Sequence, residues 1–314
     1  MIKELFILGT ILVLSFLIFS CASSPLHKSK VKLEETKPQY YTSPVFGTIE
    51  YEIQGTLGIP VLVSHGITGS YFGGLVTAQG MLPDNQKIIS ISRFGYLGSS
   101  FPDDVSPKAQ TAAWIELLDH LSIDKVIVLA ASAGGTLGFR FVLDYPQRSA
   151  GLILVSSGYP YPEASKGPKG PPLFIFSNPV FGFLLSSMPG TARSIFGISN
   201  NMWNNAADED KQGIEQQLLT ILPLDKKRKG IKNDLYVNNS DMTEHYEDYK
   251  LEDIFIPVLS LHAKDDPMAT YDRIEGDLKR IKNCTICHFE KGGHLMFTHG
   301  KEITAAVADY LRNL

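Results

Sequence analysis

Residues 126–135 read VIVLAASAGG, an apolar run that meets a single serine and continues in small residues. The apolar part is typical of a buried central strand, and the segment beyond it predicts a helix that ends before Pro146. Ser132 therefore lies on a sharp turn between a strand and a helix. Such a turn needs small residues two positions before and after the serine, because the backbone passes close to itself there. Ala130 and Gly134 occupy those positions, so the stretch has the spacing of a nucleophile elbow.

Strand-like runs alternate with helix-like segments on both sides of this turn. Strands are predicted at residues 48–53, 59–64, 87–92, 125–131, 151–156, 256–262 and 285–289, and helices at 108–121, 133–145, 271–281 and 301–314. Strands that alternate with helices of this length predict a parallel sheet covered on both faces. The alternation stops after Gly158 and resumes at Ile256, so residues 159–249 are expected to be an insertion.

Composition narrows the classes of protein that fit. The chain has 314 residues, of which 44% are hydrophobic, so a sizeable buried core is expected. The net charge is −4, with 29 Lys and Arg against 33 Asp and Glu. Proteins that bind nucleic acid usually carry a basic patch or a pI above about 9, so no nucleic-acid partner is expected. Three cysteines are too few for disulfide bonds to stabilise a chain of this size, so burial of apolar side chains is expected to stabilise it.

The first 45 residues have the pattern of an export signal followed by a linker. Residues 5–19 carry no charge and precede a small-residue zone, as in a secretory signal. The stretch 17–21, LIFSC, resembles the bacterial lipobox, in which a signal peptidase cuts before a cysteine that becomes lipidated. This resemblance implies a signal peptide over residues 1–20, lipidation of Cys21 and a place in the bacterial cell envelope.

An uncleaved signal-anchor is the alternative interpretation, and both attach the protein to a membrane outside the cytoplasm. After Cys21, the segment 21–45 is polar, contains proline and has no apolar period. It is therefore expected to be a flexible tether.

A carboxylate and a histidine follow two later strands. The strand at 256–262 leads into Asp265-Asp266-Pro267, and the strand at 285–289 leads into Gly292-Gly293-His294. Open α/β sheets hold their ligands at the carboxyl ends of strands. Ser132, an aspartate and His294 are therefore expected to meet at one edge of the sheet. Asp265 and Asp266 are both candidates for that aspartate, and the resemblance described next favours Asp266, since residues 262–267 resemble a His-Gly-x-x-Asp-Pro motif with Ala263 for Gly.

These motifs resemble those of the α/β-hydrolase family, in the subgroup with a cap. That family has the pattern Gly-x-Ser-x-Gly at its elbow, for which this chain has Ala130 at the first position. Its catalytic triad runs Ser, Asp, His along the chain, as Ser132, Asp266 and His294 do. The resemblance implies an eight-stranded, mostly parallel sheet with helices on both faces. It also implies a core of residues 46–158 and 250–314, with a helical cap at 159–249 between strands 6 and 7.

Two further stretches carry the same resemblance. Residues 64–67, SHGI, resemble the family's oxyanion turn, and residues 93–100, RFGYLGSS, resemble its turn after strand four. The resemblance implies an oxyanion hole made by the backbone N–H groups of Ile67 and Ala133. Three residues are expected in supporting positions, namely His65, Gly66 and Gly134.

The serine at the nucleophile elbow indicates which type of reaction the protein catalyses. A serine at position 132 weighs against the dehalogenase and epoxide-hydrolase branches, which resemble this fold but have aspartate there. A serine hydroxyl is a weak nucleophile and needs a base within hydrogen-bond reach, a role suited to His294. The sequence therefore predicts a membrane-anchored serine hydrolase, like a carboxylesterase or lipase, for small acyl substrates with an apolar part. No cofactor and no metal are expected.

Other interpretations stay open at this point. An acyltransferase or a C–C bond hydrolase has the same triad, and a non-hydrolytic member uses the cavity to bind a ligand. The pair Cys284 and Cys287 allows a local disulfide in an oxidising compartment. The basic run 226–229 is interpreted as a solvated face, with contact to anionic lipid as the alternative. The oligomeric state is not indicated.

Overall fold

The computed structural model describes residues 24–162 and 172–314 of the chain. Its centre is an eight-stranded sheet with the order β1-β2-β4-β3-β5-β6-β7-β8. The strands are β1 Gln39–Ser43, β2 Gly47–Gln54, β3 Leu57–Ser64, β4 Gln86–Ile91, β5 Val126–Ala131, β6 Ser149–Val155, β7 Val258–Ala263 and β8 Cys284–Phe289. Only the β1–β2 and β2–β4 pairs are antiparallel. The predicted eight-stranded, mostly parallel sheet is confirmed.

Helices lie before, between and after these strands. They are α1 (24–34), α2 Tyr71–Gln79, α3 Pro107–His120, α4 Gly135–Asp144, α5 Asn178–Ser187, α6 Pro189–Ser194, α7 Asn200–Asn205, α8 Asp208–Leu219, α9 Arg228–Asn233, α10 Asn239–Glu244, α11 Tyr271–Leu278 and α12 Gly300–Arg312. The strand pattern alone did not predict α2.

The central strands are buried on both faces, as their continuous apolar runs predict. Side chains alternate along each strand, so Leu62 joins one core cluster and Val63 the other. Helices α3, α4 and α11 cover the Leu62 face, and α2 and α12 cover the Val63 face. Helices therefore cover both faces of the central strands.

Helices α5 to α10 lie between β6 and β7, and we call residues 172–253 the helical insertion. It has an apolar cluster of its own, which includes Leu218 and Leu235. Tyr96 and Phe297 belong to the same cluster but lie outside the insertion, in the part of the chain that contains the sheet, which we call the sheet domain. The insertion therefore packs directly onto the sheet domain. Residues 163–171 of the predicted cap lie outside the described residues.

The prediction of a flexible tether is wrong for the residues from 24 onward. Helix α1 packs on the insertion, where the buried Ser29 hydroxyl donates a hydrogen bond to the Leu222 carbonyl at 2.7 Å. The hydroxyl of Thr36 lies 2.6 Å from that of Tyr71, and β1 pairs with β2. Within α1, the buried or half-buried residues Pro25, Ser29 and Leu33 recur every four positions, a pattern that the polar composition hides. Residues 1–20 and Cys21 lie outside the described residues.

Within the described residues, no helix has the length and apolar character needed to cross a membrane.

The two cysteines of β8 do not form a disulfide. Both are free, and they contact opposite faces of the sheet, Cys284 the Leu62 face and Cys287 the Val63 face. An offset of three positions along a strand always separates side chains in this way. Burial raises the pKa of the Cys284 thiol to about 11.

The methyl group of Ala130, at the end of β5, is accommodated by a glycine on the helix that follows. A Cβ placed at Gly138 of α4 would lie 2.6 Å from the Ala130 Cβ. The strand and the helix can thus approach closely because Gly138, rather than residue 130, lacks a side chain.

We expect Gly138→Ala to lower the free energy of unfolding by about 1–3 kcal/mol, because the added methyl overpacks the contact between α4 and β5. Adding Ala130→Gly to that variant removes the clash and restores part of the loss. Urea unfolding of the two single variants and the double variant measures both effects. A double variant no more stable than Gly138→Ala alone contradicts this account of the contact.

Candidate active site

Ser132 occupies a turn that few residues tolerate. Strand β5 ends at Ala131, a 3-10 turn spans Ser132–Gly134, and α4 begins at Gly135. The φ angle of Ser132 is 50°, in the left-handed region, which costs a non-glycine residue about 1–3 kcal/mol. A Cβ at Gly134 would lie 2.2 Å from the Ser64 carbonyl oxygen, so only glycine fits there. The end of β3 therefore restricts the conformation of this turn, and the Ser132 side chain projects from the edge of the sheet.

Ser132, His294 and Asp266 form one hydrogen-bonded chain. The Ser132 Oγ lies 2.9 Å from Nε2 of His294, and Nδ1 of His294 lies 2.8 Å from Oδ2 of Asp266. His294 sits on a 3-10 turn after β8, and Asp266 follows β7. The three residues predicted from separate motifs therefore meet at the carboxyl edge of the sheet. In this geometry the imidazole can accept the serine proton while the carboxylate holds its other nitrogen.

The Asp266 carboxylate is held on both oxygens. Its Oδ1 accepts hydrogen bonds from the backbone N–H groups of Met268 at 2.7 Å and Ala269 at 3.1 Å. Burial alone would raise the pKa of Asp266, but the His294 ring and these two N–H groups outweigh it, and the pKa is lowered. Asp266 is therefore ionised at neutral pH. The adjacent Asp265 points elsewhere and accepts from the backbone N–H of Gly293 at 2.8 Å.

A second histidine supports the Asp266 loop. Nε2 of His262 lies 2.8 Å from the Ala269 carbonyl and 3.6 Å from Oδ2 of Asp266. Burial lowers the pKa of His262, so its ring is neutral and donates to the Ala269 carbonyl. This contact holds the loop whose N–H groups bind Asp266.

His65 holds the turn that was predicted to form the oxyanion hole. Its Nδ1–H donates to the Gly66 carbonyl at 2.7 Å, and its Nε2 accepts from the Arg93 backbone N–H at 3.1 Å. Burial and the charge of Arg93 hold the pKa of His65 well below its usual value, so the ring is neutral. The Gly66 carbonyl also accepts from Gly69 N–H at 3.1 Å. Because this carbonyl and the Ile67 N–H belong to one peptide unit, both bonds fix the direction of that N–H.

The two predicted oxyanion residues lie on either side of the serine. Ala133 follows Ser132 directly in the 3-10 turn, and Ile67 lines the cavity beside Ser132. A Cβ at Gly66 would lie 3.1 Å from the Ser132 Cβ, so the two turns are in close contact.

A buried ion pair joins the turn after β4 to the helical insertion. The Arg93 guanidinium donates to both carboxylate oxygens of Asp234, at 2.7 and 2.6 Å, and neither side chain is exposed. The Tyr96 hydroxyl also donates to Asp234. Arg93 and Tyr96 belong to a recognised motif, but Asp234 sits on a π-helical turn, Asp234–Asn238, with no sequence signature. Sequence reasoning therefore missed Asp234.

The basic run at 226–229 is not wholly a solvated face, so that interpretation is wrong for one residue. Lys226, Arg228 and Lys229 are exposed, but Lys227 is only 1% exposed. Its ammonium donates to the carbonyl oxygens of Thr220 at 2.7 Å, Thr68 at 2.9 Å and Ile221 at 3.1 Å. Charge alone suggested four equivalent residues, whereas the insertion turns this one inward.

A cavity of about 910 Å³ opens onto Ser132 and His294. Its walls are the oxyanion turn, one face of α2 and the facing side of α8. The apolar residues along it include Ile67, Phe72, Val76, Phe176, Phe181, Phe196, Ile214, Leu218, Ile221, Leu295 and Ile303. Volumes of this order hold small-molecule ligands, and an apolar lining suits an aliphatic or aromatic group.

In residues 24–162 and 172–314, no three His, Cys, Asp or Glu side chains are grouped so that they could hold a metal ion.

Comparison with known proteins extends this picture. A model of the alpha/beta hydrolase fold family matches residues 59–300. The chain is 38% identical over 112 residues to an uncharacterized hydrolase, YcgS, of Bacillus subtilis (strain 168). That match spans 35% of this chain and 38% of the relative, so it covers well under half of the relative's length.

Two solved structures share the architecture. An alpha/beta hydrolase fold protein from Nakamurella multipartita aligns with a TM-score of 0.67 at 20% identity, over 88% of this chain and 99% of that one. A thermophilic esterase from Thermogutta terrifontis aligns with a TM-score of 0.63 at 22% identity, over 88% and 99%. At these identities the likeness concerns the fold. With the family model covering most of its length, the chain belongs to the alpha/beta hydrolase fold family.

Proposed function

We propose that this protein is a serine hydrolase that cleaves carboxylic esters, or related acyl compounds, with an apolar part. The main support is the hydrogen-bonded chain from Ser132 through His294 to Asp266, which opens into an apolar cavity. A module that only binds a ligand has no need for all three side chains in this arrangement. The apolar portion of the substrate would occupy the space between α2 and α8.

Acylation begins at the serine. His294 Nε2 accepts the proton from Ser132 Oγ as that oxygen attacks the ester carbonyl carbon. The carbonyl oxygen becomes an oxyanion, which the N–H groups of Ile67 and Ala133 stabilise. The imidazolium then gives its proton to the departing alcohol, leaving an acyl-enzyme. Asp266, ionised and held by two N–H groups, keeps the imidazole in the required tautomer and stabilises the imidazolium.

Deacylation repeats these steps with water. His294 accepts a proton from the attacking water, the second tetrahedral intermediate forms in the same oxyanion site, and collapse releases the acid and restores Ser132. An acyltransferase would differ only in that an alcohol replaces this water.

We also propose that the protein is attached to a membrane. A lipidated Cys21 would lie three residues before Ser24, the first described residue of α1, and α1 packs against the insertion. The hydrolase would then work within a short distance of the bacterial membrane to which the lipid is anchored.

Ser132→Ala is expected to lower kcat/KM for a p-nitrophenyl ester by roughly 10⁴- to 10⁶-fold, because the nucleophile is lost while the fold is kept. The same substitution should abolish covalent labelling by a fluorophosphonate probe, read by mass spectrometry of the labelled peptide. The exposed Ser187, changed to alanine, is the matched control and should keep both signals. Folded wild-type protein that neither labels nor hydrolyses any ester in a series of chain lengths overturns the proposal. A transesterified product formed when alcohols are supplied reassigns it to acyl transfer.

Asp266→Asn is expected to reduce kcat by about 10⁴-fold, because the amide favours the wrong imidazole tautomer. Asp265→Asn, one position away, should change kcat by less than tenfold, since that side chain contacts a backbone N–H rather than His294. Steady-state kinetics of the two variants on one ester checks both values. Equal losses in the two variants would contradict the assignment of the acid.

Cys21→Ser is expected to release the protein from membranes or to leave it unprocessed, because the lipid attachment site is gone. Detergent phase partitioning and metabolic labelling with a fatty acid, carried out in a bacterial host, measure the change. Wild-type protein that incorporates no lipid and carries residues 1–20 in its mature form would show the signal-anchor instead.

A further inference from the structure

Lys227 is a buried cation without a carboxylate in contact among the residues that the structure describes. Its surroundings consist of three backbone carbonyls, two from the end of the α8 segment, Thr220 and Ile221, and one from Thr68 of the sheet domain. A buried ammonium is costly unless each of its hydrogens has an acceptor, and here all three do. The side chain therefore connects the helical insertion to one particular peptide of the sheet domain.

A hydrogen bond links that peptide, which joins Thr68 to Gly69, to the oxyanion donor. Its N–H, on Gly69, donates to the Gly66 carbonyl at 3.1 Å, and that carbonyl belongs to the same peptide unit as the Ile67 N–H. Thr68 follows Ile67, and its φ of 66° is left-handed, so the turn is held in a shape that a threonine does not favour by itself. The Thr68 backbone also lies near the Tyr96 hydroxyl, which donates a hydrogen bond to Asp234 of the insertion. On the other side, the Gly66 carbonyl is held by His65 and Gly69. The direction of the Ile67 N–H thus depends on two donors to the Gly66 carbonyl, the His65 ring and the Gly69 N–H, and the second belongs to the peptide whose carbonyl Lys227 holds.

We propose that Lys227 is a positioning residue for the oxyanion hole, which ties the direction of the Ile67 N–H to the docking of the helical insertion. This inference rests on the proposed function, because it concerns the donor that would stabilise the oxyanion. Lys227 touches neither substrate nor reacting atoms in this role; it acts through Thr68. If the helical insertion moves away, the Thr68 carbonyl loses its hydrogen bond from Lys227, and the oxyanion hole loses its geometry.

The charge of Lys227 gives this contact a dependence on pH. Burial lowers the pKa of Lys227 to about 7, although the carboxylate of Glu50 on β2 attracts the cation and acts in the opposite direction. Below that pH the ammonium donates to all three carbonyls. Above it, the neutral amine has two N–H groups and a lone pair, so one carbonyl loses its donor. The contact is accordingly complete at low pH and weakens as pH rises through about 7.

The other ionisable groups around the contact do not produce this change. His65, on the same turn, has a pKa held well below its usual value and stays neutral. Tyr96 has a pKa well above its usual value and stays protonated. Arg93 and Asp234 remain a fixed ion pair. Glu50, whose pKa burial raises, is the remaining titrating neighbour, and Glu50→Gln separates its effect from that of Lys227.

Lys227→Met tests the proposal on the full chain. With a p-nitrophenyl ester, we expect kcat to fall by roughly 10- to 100-fold while KM changes less than about threefold, since a misplaced oxyanion donor weakens transition-state stabilisation more than substrate binding. Lys226→Gln, which changes an exposed neighbour in the same turn, is the matched control and should behave as wild type. Hydrogen exchange of the peptide covering residues 64–72 should become faster in Lys227→Met and stay unchanged in Lys226→Gln.

A second measurement follows the dependence of activity on pH and does not depend on whether Lys227→Met folds. Its kcat, followed across neutral and alkaline pH, should fall with an apparent pKa near 7 that persists in Glu50→Gln and is absent from Lys227→Gln. A kcat for Lys227→Met within twofold of wild type, or a loss confined to KM, overturns the positioning role. Absence of the alkaline decrease from wild type overturns the dependence on pH.

Hydrogen exchange of residues 64–72 distinguishes a failure of this inference from a failure of the proposed function. If wild type hydrolyses no ester and takes no fluorophosphonate label, the proposed function fails, and faster exchange of 64–72 in Lys227→Met still supports the positioning contact. If wild type is active and exchange of 64–72 is the same in both proteins, the proposed function stands and the positioning contact is refuted.

Discussion

The close contact between two turns, at residues 64–66 and 132–134, is the constraint on which the rest of the site depends. The Ser64 carbonyl leaves no room for a side chain at Gly134, and Gly66 lies against the Ser132 side chain. These contacts hold Ser132 at a positive φ, a conformation that costs free energy and persists only where its surroundings enforce it. The parallel pairing of β3 with β5 brings the two turns together. The contacts that position Ser132 are therefore those of the sheet and its turns, without a contribution from the insertion.

The helical insertion adds contacts to the turns at the carboxyl edge of the sheet. It supplies Asp234 to the buried Arg93 and Lys227 to the Thr68 carbonyl, so both residues contact turns at the carboxyl edge of the sheet. Buried charges of this kind are weak evidence for added stability, because desolvation offsets most of their attraction. Removing one partner is nevertheless costly, since it leaves an unpaired charge or carbonyl in a dry interior. Such pairs specify one docked arrangement of the insertion more than they strengthen the fold.

The beginning of the described chain is part of the same assembly. Helix α1 contacts the insertion through Ser29, and Thr36 just beyond it contacts Tyr71 at the start of α2. Lys32 and Glu35 also line the cavity, as do Gln54 and Gln79. The described residues before the sheet, 24–38, therefore form part of the cavity wall as well as a connection. A polar composition concealed this, because only a few of its residues make the contacts.

The sequence alone determined seven of the eight strands, β2 to β8, the elbow at Ser132 and the order of the motifs that contain Asp266 and His294. Local patterns suffice for these, since apolar runs specify buried strands and small residues specify the turn. Only the tertiary structure decided that Lys227 points inward and that Arg93 meets Asp234. Arg93 and Asp234 are 141 positions apart, and Lys227 and Thr68 are 159 apart. Contacts across such separations depend on how the insertion packs on the sheet, and no local pattern of charge or hydropathy records that packing.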